Sequence, residues 1–273
     1  MAPSPMRTRR AAVALVGALV AAAFAPTAAV PSAAAVLSNA AVSSAAAVSS
    51  AAVVGPSVVF TPVTAAYGAN SGTWAGWVAA GHHTAVAASW RQPSVTCTAH
   101  ETSDSAFWVG LDGYGSRSVE QVGTQSGCAG GKPFYSAWTE FYPAPAVGLA
   151  LSVRPGDAMR ATVAFVSGHK YRLTLTNQTR SWTRTVNGTS NLGTNASVEV
   201  VVEAPTDAHT GRVLALSHFS SARFTAATVD NAPLSRVARR QQLVMGSSKR
   251  VMAQPSDVDS SQSFAVNWRA AAG

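Results

Sequence analysis

The chain has few charged residues, and a long stretch near its N-terminus has none. Lys, Arg, Asp and Glu together make up 12% of its 273 residues, and none of them lies between Arg10 and Arg91. A globular surface normally carries charges throughout, so this absence excludes a folded domain that starts near residue 1. The remaining composition, 47% apolar and 8% aromatic, is enough for a core of ordinary size. We therefore expect one folded domain with N-terminal appendages.

The N-terminal region lacks an apolar run long enough to cross a membrane comfortably. Three arginines precede the apolar run over residues 11–24: Arg7, Arg9 and Arg10. A spanning helix needs about 20 apolar residues, so a shorter run behind positive charges is typical of a secretory signal peptide rather than of a retained anchor. Small residues at 27–29 offer a cleavage site, with 33–35 as a second choice, and the paired arginines leave a twin-arginine signal open. The signal peptide is accordingly predicted at residues 1–29.

The next stretch lacks both charge and pattern. Residues 30–64 are almost wholly Ala, Val, Ser and Pro, and Phe60 is their single aromatic residue. Their apolar residues recur with no clear period of 2 or 3.6 residues, as strands or helices would require. This indicates a propeptide or a linker, and the sequence does not decide between the two. The folded domain is predicted over residues 65–270.

A basic stripe is also missing. The formal net charge is +8, and removal of the signal peptide with its three arginines would lower it to +5. The remaining positive charges are not interleaved with aromatic residues, as a nucleic-acid groove requires. Neither nucleic acid nor, after signal cleavage, a membrane is expected as a partner, and the chain is expected to be a monomer.

Several kinds of reactive site are excluded by what is absent. The two cysteines, Cys97 and Cys128, have no CxxC spacing and no paired histidines beside them, so no metal site is expected. In an exported chain an even cysteine count instead predicts one disulfide between them. The zinc-peptidase motif His-Glu-x-x-His does not occur, and Ser126 misses the Gly-x-Ser-x-Gly motif by one position.

Helical periodicity is absent as well, and strand periodicity takes its place. Apolar and polar residues alternate over residues 159–165, 170–176 and 264–268, with turn-forming residues such as Pro-Gly-Asp between such runs. Alternation of this kind is typical of strands with one buried face. The economical prediction is an all-β fold, an antiparallel β-sandwich of two sheets.

Two short regions point to a function. The first contains residues 108–113 (WVGLDG) and 119–123 (VEQVG), and the second is 198–205 (VEVVVEAP). With residues 135–143 (YSAWTEFYP) between them, they resemble, in the same order, the motifs of the glutamic peptidases (eqolisins). These are secreted acid endopeptidases. The resemblance spans roughly residues 70–268, and the alanine-rich composition with arginine in excess of lysine favours a bacterial-type member.

The resemblance implies a concanavalin-type sandwich with a substrate groove on one curved sheet, and it implies the site residues. Glu203 would act as general base and then as general acid, and Gln121 would donate to the oxyanion and orient water. Four further residues would bind substrate or support the pair: Trp108, Asp112, Trp138 and Glu140. The family cuts polypeptides without a cofactor and is insensitive to pepstatin. The chain departs from the usual family residues at Thr73, Thr139 and Gln125.

Strand geometry limits these assignments independently of any family. Glu199 and Glu203 share a strand face but lie about 13 Å apart, so they cannot form a pair with each other. Glu120 and Gln121 are neighbours and point to opposite faces, so only one of them can enter a groove. The alternatives remain a surface carboxylate at Glu203, tryptophans that belong to the core, and a secreted sandwich that binds glycans or proteins without catalysis.

Overall fold

The predicted alternation appears directly as strands with one buried face. In the computed structural model, which describes residues 55–63 and 71–271, Lys170–Asn177 forms a strand in which Tyr171, Leu173 and Leu175 are buried between more exposed neighbours. The predicted signal peptide and most of the predicted propeptide or linker lie outside the described residues, as does the predicted domain boundary at 65. The described residues belong to one unit, Ser50–Gly273.

The strands are short to medium in length and follow one another along the chain. They are β1 (Val58–Val59), β2 (Trp74–Ala80), β3 (Ala85–Arg91), β4 (Val95–Thr96), β5 (Ser103–Asp112), β6 (Val119–Ala129), β7 (Lys132–Tyr142), β8 (Val147–Leu149), β9 (Ala158–Ser167), β10 (Lys170–Asn177), β11 (Trp182–Thr189), β12 (Ser197–Glu203), β13 (Thr206–Asp207), β14 (His218–Phe219), β15 (Ala222–Val229), β16 (Ala232–Pro233), β17 (Arg240–Leu243), β18 (Met245–Gly246), β19 (Val251–Pro255) and β20 (Phe264–Trp268). A single 3-10 turn, Leu234–Arg236, is the helical element of the described residues.

Two antiparallel sheets form the sandwich, as predicted. One has seven strands in the order β17-β2-β12-β5-β6-β7-β8. The other has nine, ordered β11-β10-β9-β3-β15-β20-β19-β18, with β16 paired to β15. Two small ribbons, β1-β13 and β14-β4, complete the described strands. Among these residues no helix is long and apolar enough to cross a membrane.

The main core lies between the sheets and takes one face of each strand. From the seven-stranded sheet it takes Phe107, Val122, Ala137 and the even-numbered valines of β12. The opposite faces of the same strands carry Trp108, Trp138 and Val201, which belong to a second buried cluster. The outer face of the seven-stranded sheet is therefore the face that could hold a substrate groove.

That outer face is covered by residues 55–63, which we call the N-terminal segment. Its Phe60 and Val63 are 1% and 6% exposed and belong to the second cluster. This cover, together with residues 215–217 bonded to the start of β5, explains why every residue of β5 and β12 is buried, although strands that are exposed on one face alternate. Part of the stretch predicted as propeptide or linker thus packs against the domain.

The disulfide predicted from the cysteine count is present. Cys97 and Cys128 are bonded, with their Cα atoms 5.7 Å apart. Cys97 follows β4 and Cys128 lies near the end of β6, so the bond ties an outlying ribbon to the seven-stranded sheet.

Candidate active site

Glu203 stands at the end of β12, between two neighbouring strands. Its Cα pairs with Trp74 on β2 and with Ala106 on β5. The carboxyl is fully buried, and the indole N–H of Trp108 donates to its Oε2 at 3.0 Å. The small side chain of Ala106 leaves the outer face open beside it, so the carboxyl lies on the groove floor rather than at the protein surface.

Gln121 lies two strands away on the same face of the sheet. It pairs with Gly110 on β5 and with Glu140 on β7, and its Nε2 donates to Glu140 Oε2 at 2.6 Å. Its Oε1 has no hydrogen-bond partner among the described residues. As the strand geometry predicted, its neighbour Glu120 points the other way. The amide of Gln121 is thus fixed on one side and free to accept on the other.

Two tryptophans form the walls of the groove. Trp108 and Trp138 both pair with Gly123 from opposite sides, so a residue without a side chain separates the two indoles. Trp74 meets Trp108 edge to face with ring centroids 4.9 Å apart. The ring of Phe60 stacks on Trp138 at 3.7 Å between centroids. The groove therefore has an aromatic subsite beside its polar floor.

Gln121 and Glu203 meet the same peptide unit. Gln121 Nε2 lies 3.5 Å from the carbonyl oxygen of Phe60, and the N–H of Thr61 donates to Glu203 Oε1 at 3.2 Å. These two backbone atoms belong to one peptide bond, Phe60–Thr61. An amide donor and a carboxyl thus face the two ends of a single amide.

The carboxyls of the groove are strongly perturbed. Burial raises the pKa of Glu203 well above its usual range, the nearby carboxyl of Glu140 raises it further, and the Thr61 N–H opposes the shift. Burial also raises the pKa of Glu140 to about 8, against hydrogen bonds from the Phe60 backbone and Gln121. Both carboxyls therefore hold their protons more tightly than exposed carboxyls do when the N-terminal segment covers them.

Comparison with known sequences identifies the family. A sequence profile of the Peptidase A4 family matches residues 72–268, more than half of the chain. The chain belongs to the Peptidase A4 family. A comparison with curated protein sequences found no significant match.

Solved structures of glutamic peptidases share the fold of this Peptidase A4 chain. Scytalido-glutamic peptidase, solved with a transition-state analogue inhibitor, has a TM-score of 0.64 at 20% identity, covering 72% of this chain and 98% of that one. SCP-B, an eqolisin solved with the tripeptide Ala-Ile-His, gives 0.60 at 18% identity, with the same coverage. Aspergilloglutamic peptidase from Aspergillus niger gives 0.53 at 23% identity, covering 61% of this chain and 99% of that one.

In this Peptidase A4 chain, Asp112 is the predicted site residue that binds a turn outside the groove. Its buried carboxyl accepts hydrogen bonds from the backbone N–H groups of Thr194, Asn195 and Ala196 at 2.8–2.9 Å. None of its hydrogen bonds within the described residues goes to Gln121 or Glu203. Asp112 thus fixes the turn that leads into β12, which carries Glu203.

Sequence reasoning missed the residues that fill the groove. Phe60 and Thr61 contact Gln121 and Glu203 from more than 60 and 140 positions away in the chain. The only available signal was that Phe60 is the single aromatic residue in an otherwise featureless stretch.

An open cavity among the described residues lies beside the groove. It has a volume of about 580 Å³ and is bounded by β7, β8 and β11, and Glu140 lines it whereas Gln121 and Glu203 do not. The groove itself is not an open cavity because the N-terminal segment occupies it. In the described part of the chain, no group of three or more His, Cys, Asp or Glu side chains is arranged to hold a metal ion.

Proposed function

We propose that this Peptidase A4 chain is a secreted, bacterial-type acid endopeptidase in which Glu203 and Gln121 form the catalytic pair. The observation that supports it is the approach of both side chains to one peptide unit. Gln121 faces the carbonyl oxygen and Glu203 faces the nitrogen, which are the atoms that need a hydrogen-bond donor and a proton during hydrolysis.

The proposed mechanism uses one carboxyl twice. Glu203 in its ionised form takes a proton from water as the oxygen attacks the carbonyl carbon, and Gln121 Nε2 donates to the developing oxyanion. Glu203 then gives that proton to the leaving nitrogen as the C–N bond breaks. The Gln121 amide is uncharged in acid, so its N–H can still donate a hydrogen bond there.

The surrounding residues have supporting roles in this proposal. The Trp108 indole holds Glu203 in place, and Glu140 accepts from Gln121 Nε2 and so orients the amide. Trp138 offers an aromatic face to the substrate. Asp112 acts at a distance by holding the start of β12. The proposed substrates are polypeptides. The enzyme would act on them as a monomer and without a cofactor.

Export fits the disulfide and the predicted signal peptide, because disulfides persist in oxidising compartments. N-terminal sequencing of protein recovered from the culture medium tests it. A chain that stays in the cell with its first 29 residues intact would contradict export.

The test of the catalytic pair is digestion of denatured casein in acid, at about pH 3 to 4, with pepstatin present. We expect Glu203→Gln and Gln121→Ala each to lower the rate by about 10²–10⁴-fold, because general acid–base and oxyanion groups contribute on that scale. The matched control is Glu199→Gln. Glu199 lies on the same strand face and is buried, but it accepts from Ser197 and Tyr114 instead. This control should digest casein as the wild type does.

Equal digestion by the wild type, Glu203→Gln and Gln121→Ala would overturn the proposal. The chain would then be better described as a secreted binding sandwich, and any activity would come from elsewhere.

A further inference from the structure

The N-terminal segment is held on both sides of the catalytic pair. Upstream, β1 pairs with β13, and the Ala208 N–H donates to the Ser57 carbonyl at 2.9 Å. Downstream, the Val63 N–H donates to Gly113 O at 2.9 Å, and the Gly115 N–H donates to Val63 O at 2.7 Å. Between these anchors the backbone must run across the groove floor, which is the path that a bound polypeptide would follow.

One peptide bond of the segment is presented to the catalytic pair. Phe60–Thr61 directs its carbonyl oxygen to Gln121 Nε2 and its N–H to Glu203 Oε1. The 3.5 Å approach to Gln121 is long, as such contacts often are before the reaction tightens them. The Phe60 ring, stacked on Trp138 and 1% exposed, fixes which bond faces the pair, because a shift of one residue would remove the ring from its subsite.

We propose that Phe60–Thr61 is a self-cleavage site, at which the folded chain removes its own N-terminal part. This inference rests on the proposed function. It also assigns the Trp138 subsite to an aromatic side chain on the amino side of the cleaved bond in other polypeptide substrates.

The reaction is a hydrolysis with water as the only co-reactant. The water oxygen adds to the Phe60 carbonyl carbon, and one of the water protons passes to the ionised form of Glu203. The C–N bond to Thr61 then breaks, and Glu203 returns the proton to the Thr61 nitrogen. One product ends in the Phe60 carboxyl, and the other begins with the Thr61 amine.

The new termini favour release of the upstream product. The Phe60 carboxyl would form beside the Glu140 and Glu203 carboxyls, where like charges repel once they ionise. Among the described residues, the short β1-β13 ribbon, the hydrogen bond to the Ser57 carbonyl, the Phe60 backbone bond to Glu140 and the stacked ring would oppose this release. The Thr61 end keeps its Val63 contacts and stays attached to the domain.

The experiment follows the full-length protein in buffers from about pH 3 to 8, by intact mass and N-terminal sequencing. We expect a product that begins at Thr61, formed with a first-order rate that does not change when the protein concentration is varied tenfold. Glu203→Gln should slow its formation by about 10³-fold. Phe60→Ala should slow it by about 10-fold through loss of the stacked ring.

Two substitutions of Thr61 test whether its N–H is needed for cleavage. Thr61→Pro removes the N–H that faces Glu203 and should block cleavage at this bond, whereas Thr61→Ser keeps it and should be cleaved at the wild-type rate. A synthetic peptide covering residues 55–65 should be cut at the same bond by the processed enzyme, and its Phe→Ala version more slowly.

The outcomes separate this inference from the proposed function. Digestion of casein that depends on Glu203, with the Phe60–Thr61 bond still intact or with cleavage elsewhere, would overturn self-cleavage and leave the peptidase proposal standing. A Thr61 product that forms equally in Glu203→Gln would show that another enzyme makes the cut. Loss of both activities from the wild type would overturn the proposed function itself.

Discussion

A single hydrogen bond from Trp108 ties the groove wall to the proposed catalytic carboxyl. The Trp108 indole N–H donates to Glu203 Oε2 at 3.0 Å in a fully buried setting. A donor favours the ionised form of a carboxyl and so holds its pKa down, against burial and the neighbouring Glu140, which raise it. Trp108 thereby affects the pH at which Glu203 becomes a base.

Trp108→Phe keeps the aromatic ring but removes this donor. Because the pKa of Glu203 should rise, the acidic limb of the pH profile of kcat/KM should move upward by about one pH unit. Trp138→Phe is the comparison, because Trp138 Nε1 has no partner among the described residues. It should weaken substrate binding without moving the limb. A Trp108→Phe enzyme whose rate falls equally at every pH would show that the indole only packs.

At the scale of single strands, Gly123 decides how close the two groove tryptophans can lie. It pairs with Trp108 on one side and Trp138 on the other, and a Cβ at this position would lie 2.6 Å from the Trp108 Cβ and overlap the Phe107 carbonyl oxygen. Backbone cannot move aside as a flexible side-chain end can. The sequence of β6 therefore requires glycine here.

Gly123→Ala should destabilise the fold by about 1–3 kcal/mol or prevent soluble expression, because overpacking forces strands apart. Gly148→Ala on the edge strand β8 is the control, since a Cβ there meets nothing within 4 Å. Urea unfolding of both variants measures the difference. Equal midpoints would mean that β5 and β6 can separate without cost.

The disulfide acts between elements, since it joins the segment after β4 to β6. Closing a loop across 31 residues should stabilise the fold by about 3 to 4 kcal/mol in the chain-entropy account. The double variant Cys97→Ser/Cys128→Ser should therefore have a clearly lower midpoint in urea. The reduced wild type should match it, and an unchanged midpoint in both would show that the loop is already fixed by the β4-β14 pairing.

Strands could be predicted from sequence, and the position of the N-terminal segment could not. The alternation in β9 and β10 follows from one buried face, which is a local property of the chain. Gln121 and Glu203 were singled out through motifs. Strand parity indicated that only one of Glu120 and Gln121 can enter a groove, and the resemblance selected Gln121. The contact between Thr61 and Glu203 spans 142 positions and depends on the shape of a groove that exists only after folding. No local pattern of residues 55–63 encodes it.

Across the whole molecule, the buried carboxyls make stability depend on pH. Burial raises the pKa of Asp104, Glu120 and Glu140 to about 8, and it raises the pKa of Glu199 and Glu203 well above the usual range. A carboxyl with a higher pKa in the folded state binds its proton more tightly there than in the unfolded chain. Its contribution to stability is complete below the unfolded pKa of about 4 and is lost as the pH rises through the folded pKa, which is about 8 for Asp104, Glu120 and Glu140.

Other carboxyls set the lower limit of this range. Hydrogen bonds from Asn177, the Arg154 backbone and Arg180 outweigh burial and lower the pKa of Asp157, and hydrogen bonds from His83 and the backbone at Thr84 lower the pKa of Asp230. A lowered pKa works in the opposite direction, so these groups lose their contribution as the pH falls below about 4. The folded state should therefore be most stable near pH 4 to 5. There the buried carboxyls are mostly protonated, and the hydrogen-bonded Asp157 and Asp230 are still mostly ionised.

We expect the melting temperature of the intact chain to fall continuously as the pH is raised from about 5 to 8. A loss of about 3 kcal/mol, less than the four raised carboxyls other than Glu203 could supply together, would lower it by about 6–12 °C in a domain of this size. Calorimetry on the Glu203→Gln variant is suitable, because self-cleavage would not interfere. Adding Glu199→Gln to that variant removes one buried carboxyl that makes no contact with the catalytic pair. The melting temperature of the double variant should therefore fall less steeply with pH. A melting temperature that rises between pH 5 and 8 would mean that these carboxyls are ionised in the folded chain.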